Sequence, residues 1–153
     1  MDHQQETLPP HILLFPVPMH GHVTPMLKLA QLLCLHDLHV TMLISEYYHS
    51  RLQRHSKFQS RSLLHPAFCF KTIPDGLPED HPRVGERVVE LTPPNIIEPL
   101  FRELMISTNY LGSETRRPLT CIIADGILSF AGDFALEKGI PFIYLTVIGA
   151  GSL

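Results

Sequence analysis

Five short apolar runs recur along the chain: His11 to Phe15 (HILLF), His39 to Ile44 (HVTMLI), Phe68 to Ile73 (FCFKTI), Leu119 to Ala124 (LTCIIA) and Pro141 to Leu145 (PFIYL). An unbroken apolar run of this length is the pattern of a strand covered on both faces. Strands that alternate with helical segments build a parallel sheet with helices on both sides. The spacing therefore predicts an α/β fold, a doubly wound parallel sheet of Rossmann-like type, with strand order 3-2-1-4-5.

The segments between the runs read as helices. Thr24 suits an N-cap with Pro25 at the first helical position, and Met26, Leu29, Ala30 and Leu33 recur at helical spacing to about His36. Ser45 can cap the polar segment EYYHSRLQRHS. Asn95 to about Tyr110 carries an apolar face of Ile96, Ile97, Leu100, Phe101 and Leu104, with Pro99 in or near its first turn. Ser129 to Lys138 is closed by Gly139, a residue suited to the left-handed C′ position. Pro74-Asp75-Gly76 spells a turn, and the proline- and charge-rich stretch from there to Pro94 reads as a surface excursion with a short helix near Val84 to Leu91. Residues 1–10 are expected to be disordered and 11–153 to form one domain. The run stops at Leu153, shortly after a strand and with no closing helix, so the expectation is a fragment.

Composition excludes several partners. With 44% hydrophobic and 18% charged residues in 153, the chain can bury a core. A net charge of −3 with scattered Lys and Arg offers no basic stripe for nucleic acid. The polar, acidic start MDHQQETLPP is unlike a secretion signal, and no run approaches the roughly 18 apolar residues of a membrane span. Cys34, Cys69 and Cys121 sit far apart in apolar runs, as buried core thiols of a cytoplasmic protein would.

Chemistry is expected where the winding of the sheet reverses, outside the carboxyl ends of strands one and four. Those ends carry His20-Gly21-His22 and Asp125-Gly126. Topology would thus bring a His–Asp pair into one crevice. A neutral imidazole can take a proton from a substrate hydroxyl near neutral pH, while aspartate fixes its tautomer and stabilises the imidazolium. No serine or cysteine nucleophile stands beside them, so the pair would activate the substrate's own oxygen. Other readings compete: either histidine as a plain surface group, Asp125 as a helix N-cap, or His20 and His22 as two ligands of a metal. No further Cys/His cluster supports a metal site. The first turn holds a single glycine, Gly21, and so lacks the GxGxxG of a dinucleotide site. Residue chemistry alone leaves the choice between His20 and His22 open.

The stretch HILLFPVPMHGHVTPMLKLAQLL resembles the start of the plant UDP-dependent glycosyltransferases, whose first strand enters a P-x-x-G-H-x-x-P turn and then a helix. HVTMLISEYYHSRL, the TIPDGLP turn and CIIADGILSFAGDFALEKGIPFIYLT extend the resemblance in order over nearly the whole chain. The resemblance implies the N-terminal, acceptor-binding half of a GT-B type enzyme that transfers sugar, usually from UDP-glucose, to a hydroxyl of a small lipophilic acceptor of flavonoid or terpenoid type, with inversion. It implies no cofactor beyond the donor substrate. His22 falls on the family's base and Asp125 on its partner; His20, Gly21 and Thr146 fall near the acceptor or sugar.

Departures from the family pattern carry expectations of their own. The family's donor-binding domain has a signature that opens with tryptophan, and this sequence has none. The donor domain is therefore expected to be absent, UDP-sugar to bind only when it is present, and the 153 residues alone to be an inactive monomer. Asp37 stands where relatives usually have the glycine that ends the first helix, and Leu145 where they often have tryptophan. A catalytically silent binding or interaction module derived from such an enzyme is the alternative reading.

Overall fold

The computed structural model describes residues 8–54, 65–81, 94–108 and 118–146. Strands β1 (His11–Phe15), β2 (His39–Ser45), β3 (Phe68–Ile73), β4 (Cys121–Asp125) and β5 (Phe142–Leu145) pair in parallel in the order β3-β2-β1-β4-β5. This is the order expected from the alternation of apolar runs. The register pairs Phe15 with Ala124, so the last residue of β1 lies one step from Asp125.

Alternation of side chains along β1 divides the core in two. Leu13 and Phe15 point to one side and Ile12 and Leu14 to the other, and all four are buried. Helices α1 (His20–Leu35) and α2 (Glu46–Arg54) cover the Ile12 face through Met26, Leu27, Ala30 and Tyr48. Helices α3 (Pro94–Ser107) and α4 (Ser129–Lys138) cover the Phe15 face through Ile97, Phe101, Phe130 and Phe134. Phe101 is the centre of this second layer, with ring centroids 5.3 Å from Phe15, 5.6 Å from Phe130 and 5.2 Å from Phe134. Full burial of one such ring contributes about 1.5–3 kcal/mol. At the rim Arg102 of α3 lies over the Phe134 ring, meets Glu137 of α4 through two hydrogen bonds of 2.8 and 2.9 Å, and also donates to Glu98.

Two helices end in the same way. After α1 the N–H of Leu38 bonds to the Leu33 carbonyl and that of Asp37 to Cys34; after α4 the N–H of Ile140 bonds to Ala135 and that of Gly139 to Leu136. Both are Schellman closures, which put the C′ residue in the left-handed region. Gly139 takes φ 67° without strain, whereas Asp37 takes φ 63° with a side chain attached.

Several boundaries differ from expectation. Helix α1 begins at His20, four residues before the expected N-cap Thr24, so Thr24 and Pro25 lie inside it. Its start is built on backbone: Met19 is extended, and its carbonyl accepts from the N–H groups of His22 and Val23. The HGH segment is therefore a helical first turn. Pro25 lacks the N–H that would reach the Gly21 carbonyl, one missing bond that the packed helix tolerates. Pro10, placed by the sequence in a disordered leader, accepts a hydrogen bond from His39 N–H and extends the sheet. Of the three thiols only Cys34 is buried; Cys69 is exposed because β3 is an edge strand, and Cys121, at the start of β4, is half-buried. The leader's residues 1–7, the short helix at Val84 to Leu91, and the expected helix ends at Ser56 and Tyr110 lie outside the described residues.

Candidate active site

The carboxyl ends of β1 and β4 deliver the pair foreseen from topology. His22, in the first turn of α1, has Nδ1 hydrogen-bonded to Oδ2 of Asp125, the last residue of β4. The Asp125 side chain is 4% exposed and that of His22 is 20% exposed. A carboxylate so buried needs its lone pairs engaged. Its other oxygen, Oδ1, accepts from the backbone N–H of Ile127 at 3.3 Å. With the Nδ1 proton directed at Asp125, the basic lone pair of the neutral ring lies on Nε2.

The alternative of Asp125 as a helix cap is not realised. Helix α4 begins after Leu128 with no side-chain cap, and Asp125 instead closes a tight turn through Ile127 N–H and through its own carbonyl, which accepts from Leu128 N–H at 2.9 Å. The contribution of Ile127 was not read from the sequence. An Asp-Gly pair at a strand end is the signal that could have found it, because Asp side chains bond to the backbone two residues on.

The other expected site residues surround this pair unequally. Thr146, exposed just after β5, has Oγ1 3.4 Å from where a side chain on Gly126 would begin, which brings it beside the Asp125 turn. Gly21 is exposed, and a Cβ there would meet nothing within 4 Å among the described residues. His20 is exposed and parts company with His22: its Nδ1 lies 3.4 Å from Thr24 Oγ1, one turn along α1. The two histidines therefore have separate partners. Among the described residues no group of three or more His, Cys, Asp or Glu comes together as a metal site, and no helix is long and apolar enough to cross a membrane.

The turn after β3 lies at the same end of the sheet. Asp75, buried, accepts from Leu77 N–H at 3.0 Å, and Gly76 adopts φ 74°. A Cβ on Gly76 would approach Ile96 Cγ2 to 2.8 Å, so this turn packs directly on the first turn of α3. A separate cavity of about 350 Å³, lined by Leu27, Ala30, Cys34, Leu35, His65 and Phe68, lies toward the opposite end of α1 and takes no part in the His–Asp pair.

No family model matches the chain. Curated relatives do match: it is 54% identical over 154 residues to a 7-deoxyloganetic acid glucosyl transferase of Catharanthus roseus, covering 99% of this chain and 32% of that protein. It is 41% identical over 135 residues to UDP-glycosyltransferase 85A5 of Arabidopsis thaliana, covering 86% and 27% respectively. Its fold matches the crystal structure of LpCGTa in complex with UDP with a TM-score of 0.63 at 28% identity, over 94% of this chain and 31% of that one. The resemblance to the plant UDP-dependent glycosyltransferases is thus borne out. The chain spans about a third of the length of the curated glycosyltransferases it matches. Its doubly wound sheet is that of part of a GT-B plant glycosyltransferase.

Proposed function

We propose that the chain forms the acceptor-binding part of a UDP-glucosyltransferase, with His22 as general base and Asp125 as its partner. The observation that carries this reading is the bond from His22 Nδ1 to the buried Asp125 carboxylate, which leaves the Nε2 lone pair to act as the base. Nε2 takes the proton of an acceptor hydroxyl as that oxygen bonds to the anomeric carbon of the sugar. The bond from that carbon to the UDP oxygen breaks, UDP leaves with the electron pair, and the configuration inverts. Asp125 stabilises the imidazolium formed, and no covalent enzyme intermediate arises.

The acceptor in this reading is a small lipophilic, terpenoid-type molecule that carries a carboxylic acid, because the relative at 54% identity is named for an acid of this kind. His20, Gly21 and Thr146 lie toward the acceptor or the transferred sugar. The surface that binds the UDP moiety belongs to the remaining two thirds of the relatives' length. The 153 residues alone then bind acceptor as a silent module, since the leaving group has no site that stabilises it.

The test is transfer activity with UDP-glucose in two settings. The purified chain is expected to give none, and the chain grafted in place of the matching segment of the 54% identical relative is expected to restore it. In the graft, His22→Ala should lower turnover by about 10²–10⁴-fold while acceptor binding survives. Loss of turnover from His20→Ala, with His22→Ala active, would overturn the assignment.

A further inference from the structure

We propose that His20 is a specificity residue that donates a hydrogen bond from Nε2 to a carboxylate on the acceptor; this rests on the reading of the site as an acceptor crevice. The described segments at the carboxyl ends of β1, β3 and β4, residues 16–22, 74–78 and 125–128, contain no Lys or Arg. They do contain two carboxylates, Asp75 and Asp125, and both already accept hydrogen bonds. An anionic acceptor therefore meets no cationic side chain on these segments, and it needs a donor that the catalytic pair does not consume. His20 supplies one. In the tautomer protonated at Nε2, the Thr24 hydroxyl donates to Nδ1 and holds the ring, while Nε2–H stays available at the exposed start of α1.

The spacing fits one small molecule. Residues two apart on a helix have Cα atoms about 5 Å apart and project in different directions, so His22 turns toward Asp125 and His20 does not. Between them Gly21 has no side chain, and among the described residues nothing lies within 4 Å of where one would begin. An acceptor whose hydroxyl meets His22 Nε2 can thus extend across Gly21 and place an acid group a few bonds away at His20. A hydrogen bond to a carboxylate is roughly twice as strong as one between neutral groups, and this one needs no change in the charge of His20.

Calorimetric titration of the 153-residue chain with 7-deoxyloganetic acid and with its methyl ester tests the assignment. The wild type is expected to bind the acid more tightly than the ester. His20→Ala should weaken the acid by about tenfold or more and leave the ester within twofold, and His20→Gln, which keeps an N–H donor, should retain most of the preference. Equal binding of acid and ester by the wild type, or an unchanged preference in His20→Ala, would overturn the role of His20 while leaving the crevice reading in place. Binding of neither molecule would overturn both.

Discussion

His22 and Asp125, separated by 103 positions in the chain, share a hydrogen bond between Nδ1 and Oδ2 at the junction of β1 and β4. The aspartate holds one tautomer and one ring orientation, so its removal should impair proton abstraction without removing the base. In the grafted enzyme, Asp125→Ala is expected to lower turnover by about two orders of magnitude with KM for UDP-glucose little changed. Steady-state kinetics checks this, and a variant as fast as the parent would dismiss Asp125 as a functional partner.

Asp37 pays for its left-handed backbone with a side chain that contributes no hydrogen bond to the helix closure, which is made by the N–H groups of Asp37 and Leu38. Asp37→Gly removes that strain, although glycine gains entropy in the unfolded chain and offsets part of the benefit. A net stabilisation of about 0.5–1 kcal/mol is expected from urea denaturation. A lower midpoint in the glycine variant would contradict it.

The clamp between α3 and α4 should respond to acid. The Arg102 guanidinium holds the Glu137 carboxyl below its usual value of 4.5, while Glu137 and Glu98 raise Arg102 further above the physiological range. A carboxyl whose value is depressed on folding adds stability that is present above its unfolded value and lost as pH falls through the folded one. Wild type should therefore be modestly more stable than Glu137→Gln at neutral pH, and the gap should close in acid, as pH falls through the depressed value of the Glu137 carboxyl. Paired urea curves at the two pH values read this directly, and a gap that persists in acid would show that the pair is not its source.

Strand order was legible because each apolar run is short, bounded and separated by helical periodicity, and because doubly wound sheets close in few ways. That was enough to place His20-Gly21-His22 opposite Asp125. The start of α1 was not legible: sequence rules look for a Ser, Thr, Asp or Asn cap, and Thr24 supplied a false one while the Met19 carbonyl did the work. Nor could spacing choose between the two imidazoles. The helical first turn separates them, since His22 then meets Asp125 at the buried end of β4 while the exposed His20 meets Thr24 through Nδ1 alone. The exposure of Cys69 was hidden for a different reason: the expected order already put β3 at an edge, but an apolar run does not declare which of its side chains stays exposed there.

A helix that starts on a main-chain carbonyl leaves the side chains around its origin unemployed as scaffolding. Met19 can begin α1 whatever stands at positions 20 and 24, provided its own extended backbone is kept. The rim of the crevice can accordingly be rewritten at those two positions while the base at position 22 stays in register, which makes this turn a natural place to retune acceptor choice in an engineered variant.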